Sequence, residues 1–224
     1  MRDLIKQEQF ELEVLDRLNS RKLLSRLIFG GGTMLRLCHG LNRFSVDLDF
    51  WIAEKISTKK LFKDLKECLG EYYIFSDAAD KFYTLLFEIK SKNYPRSLKI
   101  EIRKTPKNIR TEQAIAYSPL ANTQVFLNVV SLADTAKSKI EAFLSRKEIR
   151  DIFDLEFLVK KGVDLDASEK NLKDALKGIN SFTKRDYTVK LGSLLDENER
   201  KYYVNENFKI LKSAVEARIK LLEK

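Results

Sequence analysis

The sequence predicts an α+β fold in two parts that divide near residue 125. Apolar and acidic residues alternate from Val46 to Phe50, and aromatic and β-branched runs separated by polar turns follow between residues 71 and 105. Both patterns are typical of strands. After about residue 128 the apolar residues recur at helical spacing. We therefore expect a sheet-bearing lobe over residues 1–125 and a helical bundle over residues 126–224.

The individual elements follow from the same periodicities. Strands are predicted at 27–29 and 46–50, then as an antiparallel meander up to residue 105, and a less regular stretch is expected from there to about residue 128. The spacing of apolar residues predicts helices, in chain order, at 3–24, 33–38, 58–69, 132–145, 148–160, 167–179 and 205–223.

Composition bounds the class of protein. The chain has 224 residues, of which 44% are hydrophobic, so it can fill a substantial core. No run of about 18 apolar residues is long enough to span a bilayer, and charges are spread through the first residues where a signal peptide needs an apolar block. We expect a cytoplasmic protein that does not enter a membrane.

The charge balance favours anionic partners. The formal net charge is +9 and the pI is near 9.4, which suits nucleic acid, nucleotides or a membrane surface. The basic residues are dispersed along the chain, so a well-solvated cationic surface is an equally good explanation of the charge alone.

A glycine-rich turn follows the first predicted strand. Gly30, Gly31 and Gly32 precede Thr33 and a short helix. The N-terminus of such a helix presents backbone N–H groups that suit phosphate oxygens, and glycine allows a close approach. Thr33 could cap the helix or donate to a phosphate. The alternative is a tight turn with no ligand.

Two aspartates lie on the next strand. Asp47 and Asp49 are two residues apart, so they project from one face, about 6 to 7 Å apart along the backbone. Two ionised carboxylates repel each other, and Mg²⁺ would compensate their charge while leaving positions for substrate phosphates. The alternative is an edge strand whose polar face is in water.

A third acid would complete a metal site. Glu88 and Glu101 both stand between apolar residues in the meander. We favour Glu101, because Lys99, Glu101 and Arg103 share one face and would surround an anionic substrate with a mixed charge cluster.

These motifs carry a family resemblance. The segment GGTMLRLCHGLNRFSVDLDF, Gly31–Phe50, followed by a later strand acid, resembles nucleotidyltransferases of the polymerase β type. It is most similar to the AbiEii/AbiGii family of nucleotidyltransferase toxins, to which the MenT toxins are related. The resemblance implies a mixed sheet flanked by helices, an NTP substrate, Mg²⁺ or Mn²⁺, an RNA acceptor such as the 3′ end of tRNA, a cognate antitoxin and a role in phage defence.

The same resemblance implies roles for the motif residues. Asp47 and Asp49 would be catalytic and, with Glu101, would bind the metal. The residues expected to contact the phosphates are Gly31, Gly32, Thr33, Arg43 and Ser45.

A second block, Ser131–Val159, contains ionic residues in helices that should be buried. Lys139 falls at the edge of an apolar stripe, and Asp154 lies in a helix that is apolar nearly all round. A lysine stem with its ammonium in water, or an Arg150–Asp154 ion pair, would explain them structurally. The resemblance, whose motifs end near residue 165, implies that Lys139 and Asp154 belong to the active site and that Asp151 is a structural partner.

The sequence therefore predicts a nucleotidyltransferase whose helical lobe completes the active site. Because the motifs contain no histidine triad or thiol nucleophile, direct transfer is favoured over a covalent enzyme intermediate. The alternatives are transfer to a protein or small-molecule hydroxyl, and a catalytically silent regulator that binds nucleotide or RNA.

Overall fold

The computed structural model describes residues 2–54, 56–105 and 108–223. They form two compact units, Met1–Ser131 and Leu132–Lys224. The division predicted at residue 125 falls inside a strand of the first unit. That the second unit completes an active site stays a prediction.

The first unit is built on one seven-stranded sheet with the order β3-β4-β5-β2-β1-β7-β6. Its strands are β1 Leu27–Gly30, β2 Asp47–Ile52, β3 Ile74–Asp80, β4 Thr84–Lys90, β5 Leu98–Arg103, β6 Thr111–Tyr117 and β7 Gln124–Val130. The β2–β5 and β1–β7 pairs are parallel and the others antiparallel. The predicted mixed sheet and α+β class are therefore confirmed.

Three helices accompany the sheet: α1 Arg2–Ser20, α2 Gly31–His39 and α3 Thr58–Gly70. A short 3₁₀ turn, Leu24–Arg26, separates α1 from β1, so the first helix is shorter than predicted. All four residues of β1 are buried, as expected for a central strand covered on both faces. Ser57 caps α3 by accepting a hydrogen bond from the Lys60 amide.

The stretch expected to be irregular contains the paired strands β6 and β7, so that prediction was wrong. In β7 the buried residues Val125, Leu127 and Val129 alternate with polar or exposed ones. Only Ala116 is buried in β6, which forms the sheet edge. β7 pairs with β1 in parallel, with Phe29 opposite Val129. This pairing joins residues a hundred positions apart in the sequence.

The second unit is helical. Its helices are α4 Leu132–Arg146, α5 Ile149–Lys160, α6 Glu169–Asn180, a π-helix Asp186–Leu191, a 3₁₀ turn Gly192–Leu194, α7 Glu197–Glu206 and α8 Lys209–Leu222. Within the described residues, no helix is long and apolar enough to cross a membrane.

The last predicted helix, 205–223, is two helices with a break between them. Asn207 and Phe208 have φ angles of 49° and 55°, which end α7 and begin α8. The Phe208 side chain is fully buried, and the buried carboxylate of Glu156 accepts a hydrogen bond from the Leu211 amide at 3.1 Å. Tertiary packing therefore interrupts a pattern that is helical in sequence.

Candidate active site

The glycine turn places three backbone donors at the start of α2. Gly30 is the N-cap residue in an extended conformation, so Gly31, Gly32 and Thr33 are the first three helical positions. The N–H groups at these positions have no intrahelical acceptor. Together with the helix dipole, they make this turn suitable for binding a phosphate oxygen.

The predicted site residues Asp49, Arg43 and Ser45 lie directly against this turn. Gly31 has a φ of +75°, and a β-carbon there would overlap the Asp49 carboxylate. A β-carbon at Gly32 would lie 2.5 Å from Arg43 Nη2 and 2.9 Å from Ser45 Oγ. Both glycines are therefore needed for a carboxylate, a guanidinium and a hydroxyl to approach the helix start.

Thr33 has a structural contact that the sequence did not predict. Its hydroxyl donates to the Asp47 carbonyl oxygen at 2.5 Å, and its side chain is buried. Thr33 therefore fixes α2 to the start of β2, and its backbone N–H, rather than its hydroxyl, is the group oriented with the helix start. Arg43 is buried as well and donates from Nη1 to the Phe44 carbonyl oxygen at 2.9 Å.

The acidic residues are aligned by the parallel pairing of β2 and β5. Asp49 lies opposite Glu101, and Asp47 lies opposite Lys99. Since side chains alternate along a strand, these four share one face of the sheet, which we call the acid face. Glu88 lies on β4, one strand further from the aspartates, where it accepts a hydrogen bond from Ser97 Oγ at 2.6 Å. The register thus brings Glu101, rather than Glu88, beside Asp49.

Lys99 supplies positive charge to the acid face. Its Nζ lies 2.8 Å from Glu101 Oε2. This hydrogen bond raises the pKa of Lys99, and the charges of Asp47 and Asp49 raise it further. The ammonium therefore interacts with all three acids.

The donor chemistry of the acid face fits a divalent cation of the Mg²⁺ class. Three carboxylates on adjacent strands offer the oxygen ligands that Mg²⁺ or Mn²⁺ accepts. Among the described residues, no three Asp, Glu, His or Cys side chains already converge as a complete set of ligands. Glu101 Oε2 lies 2.8 Å from Lys99 Nζ, so this carboxylate already has one cationic partner.

A buried polar group on α1 supports the acid face and was missed by the sequence analysis. Gln7 Nε2 donates to the Val46 and Ser97 carbonyl oxygens at 3.2 and 3.3 Å, which ties together the residues that precede β2 and β5. Glu8 is buried and forms an ion pair with Arg36 at 2.7 Å. A signal was present, because these polar residues interrupt an otherwise buried helix.

Glu11, one turn along α1, is a fully buried acid. Neither of its carboxyl oxygens has a hydrogen-bond partner among the described residues. Burial raises its pKa well above the ordinary range, and the nearby charges of Glu8 and Asp47 add to this, whereas Arg36 opposes it. The neutral acid is therefore favoured beside Asp47.

The second unit contains its own buried ionic cluster. Lys139 Nζ lies 2.5 Å from Asp154 Oδ2 and 3.5 Å from Asp151 Oδ1, and both aspartates are fully buried. Arg146 donates two hydrogen bonds to Asp151, at 2.6 and 2.7 Å. The ammonium of Lys139 is thus bound to carboxylates and does not extend into water. Asp151 is the structural partner of an arginine, Arg146, which the sequence analysis did not single out.

Comparisons with known proteins give the family. Two solved structures resemble this fold: JHP933 from Helicobacter pylori, with 25% identity, coverage of 93% of this chain and 97% of that chain and a TM-score of 0.53, and a candidate nucleotidyltransferase from H. pylori, with 22% identity, 97% coverage of both chains and a TM-score of 0.59. No curated protein matches the sequence. The family model for the nucleotidyl transferase AbiEii toxin of type IV toxin–antitoxin systems matches residues 13–209, past the end of the sequence motifs. This chain therefore belongs to the AbiEii family of nucleotidyltransferase toxins.

Proposed function

We propose that this protein transfers a nucleoside monophosphate from an NTP to an RNA acceptor, the 3′ end of tRNA being the favoured target, and thereby blocks translation. The observation that carries the proposal is the contact between the Asp49 carboxylate and Gly31 at the start of α2. A phosphate-binding turn and a carboxylate face in direct contact are what a triphosphate with a bound cation requires.

The glycine turn would bind the triphosphate. The N–H groups of Gly31, Gly32 and Thr33 would donate to phosphate oxygens, and Ser45 would donate from its hydroxyl. Arg43 would neutralise phosphate charge, because its guanidinium already lies against Gly32. These donors are fixed by the fold before substrate arrives, so little reorganisation is needed on binding.

The acid face would act at the reacting phosphate. Asp47, Asp49 and Glu101 would hold Mg²⁺ or Mn²⁺, which when bound supplies positive charge to the triphosphate. The acceptor hydroxyl oxygen would form a bond to the α-phosphorus while the bond from that phosphorus to the bridging oxygen breaks. Pyrophosphate would leave, and the hydroxyl proton would pass to a carboxylate of the acid face.

We propose a catalytic role for Lys139 and Asp154 as well. The Lys139 ammonium would neutralise phosphate charge, and Asp154 would hold it in place through their 2.5 Å contact.

The chemistry of the surface and the family suggest the partners. A net charge of +9 is compatible with an acceptor as anionic as tRNA. A cationic drug as acceptor would favour an acidic pocket instead. Membership of a type IV toxin–antitoxin family implies a cognate antitoxin.

The proposal is tested by offering several acceptors to one enzyme. Purified protein is incubated with Mg²⁺ and each of the four NTPs labelled at the α-phosphate, together with total tRNA, a protein extract or small hydroxyl compounds. We expect label on tRNA from at least one NTP. Label only on protein or on a small molecule would show that the acceptor belongs to that class and is not tRNA. Nucleotide binding without transfer to any of them would favour a catalytically silent regulator.

A further inference from the structure

Lys99 lies on the acid face, beside the carboxylates proposed to hold a divalent cation. It lies opposite Asp47 on the adjacent parallel strand, and its ammonium lies 2.8 Å from Glu101 Oε2. Asp47 and Asp49 lie on the same face of the adjacent strand, opposite Lys99 and Glu101. The lysine is therefore the cationic partner of the acid face.

The Lys99 ammonium contacts Glu101 Oε2, one of the two oxygens that Glu101 could offer to a divalent cation. Mg²⁺ binds carboxylate oxygens at about 2.0 to 2.1 Å. An ammonium hydrogen-bonded to that oxygen would lie beside the incoming ion, and the two positive charges would repel. The Lys99 ammonium therefore opposes binding of a cation at Glu101, and cation binding favours loss of the contact between Lys99 and Glu101 Oε2.

We propose that Lys99 is a positioning residue, which holds Glu101 until a divalent cation displaces it from the carboxylate. Lys99 then sets the metal affinity of the site. Without this lysine, three neighbouring carboxylates would repel each other in the metal-free protein, so the same contact stabilises the empty site and weakens metal binding. The inference rests on the proposed metal site at Asp47, Asp49 and Glu101.

The test is the binding of Mn²⁺ to nucleotide-free protein, measured from the paramagnetic resonance signal of the unbound ion. We expect Lys99→Met to bind Mn²⁺ about tenfold more tightly than wild type, because removing one adjacent positive charge changes the interaction by about 1 kcal/mol or more. The matched control is Lys104→Met, which removes the lysine paired with Asp80 just after the end of β5. It should leave the affinity unchanged.

A second measurement does not depend on the variant folding. The side-chain ammonium resonance of Lys99 in wild type, assigned with Lys99→Arg, should shift on addition of Mg²⁺ as the hydrogen bond to Glu101 is lost. The inference is overturned if this resonance does not move at saturating Mg²⁺, or if folded Lys99→Met binds Mn²⁺ no more tightly than wild type. Equal, negligible binding by wild type and Asp47→Asn would instead show that the metal site itself is wrong, and the inference with it.

Discussion

The Asp49 carboxylate packs against Gly31 so closely that a β-carbon at the glycine would overlap it. Gly31 is also the first residue of α2 and has a φ of +75°. A single position thus sets both the helix start, where phosphate is expected to bind, and the placement of a carboxylate that we propose to be catalytic. Substitutions at this glycine should separate backbone strain from displacement of the acid.

Gly31→Ala should lower the transfer rate far more than its loss of stability explains. Gly40 provides the control, because its φ is +78° and nothing lies within 4 Å of a β-carbon there. Each substitution should cost about 1 kcal/mol in the free energy of unfolding, from the left-handed backbone alone. Only Gly31→Ala should also displace Asp49, which we expect to lower the transfer rate about 100-fold. Equal transfer rates in the two variants, with equal unfolding midpoints in urea, would contradict a role in transfer for the contact between Gly31 and Asp49.

The Lys139–Asp154 pair allows stability and catalysis to be separated. Lys139→Met should lower the free energy of unfolding by about 3 to 5 kcal/mol, because it leaves a buried carboxylate without its cation. The double variant Lys139→Met/Asp154→Leu removes both charges and should recover much of this loss. Urea unfolding measures both changes.

Transfer activity should not recover with stability in that double variant. If Lys139 neutralises phosphate, the refolded double variant remains inactive, whereas a purely structural pair would give back activity together with stability. Full transfer by the double variant would therefore show that Lys139 and Asp154 are not catalytic residues.

Glu11 predicts a pH dependence of stability. Its raised pKa means that the folded state keeps the proton to higher pH than the unfolded state does. As pH rises through the unfolded value of about 4.3, the unfolded chain binds fewer protons than the folded one, so stability falls until the folded pKa is reached. Glu11→Gln removes this effect.

We therefore expect Glu11→Gln to be more stable than wild type at pH 8, with the difference shrinking towards pH 4. Thermal unfolding of both proteins across this pH range measures the difference in stability. A metal-free buffer keeps Asp47, one of the neighbouring charges, without a bound metal ion. A difference that is constant with pH, or that grows towards acid, would show that Glu11 is ionised in the fold, balanced by Arg36.

The sequence was most informative where the determinants are local. The turn, the helix and the strand from Gly31 to Phe50 follow from glycines, periodicity and alternation within twenty residues. The preference for Glu101 over Glu88 followed from the basic residues Lys99 and Arg103 on the same face of its strand. The parallel register that sets Glu101 beside Asp49 joins distant segments, so no local pattern encodes it. Lys139 falls at the edge of an apolar stripe in the sequence, and its ammonium is buried against Asp154 and does not extend into water.

The predictions from sequence were wrong or incomplete where contacts between distant segments outweigh local preference. Few residues of β6 are buried, so its sequence does not show a clear strand pattern. It is a strand because it pairs with β7. The buried acid Glu8 of α1 is paired with Arg36 of α2, a contact that the helical pattern of α1 does not reveal. The break at Asn207 and Phe208 depends on burial of the phenylalanine ring, although the surrounding spacing is helical.

The most direct test of the central claim, that the β2 acids perform nucleotidyl transfer, is the transfer rate of Asp47→Asn and Asp49→Asn from α-labelled NTP. The carboxamide keeps the size of the side chain and removes its charge, so thermal unfolding should stay close to wild type. We expect at least about a 1,000-fold loss of transfer in each variant, because the acids would supply several kcal/mol of stabilisation through the cation they hold. Folded variants that transfer within tenfold of wild type would contradict it and place the chemistry elsewhere in the chain.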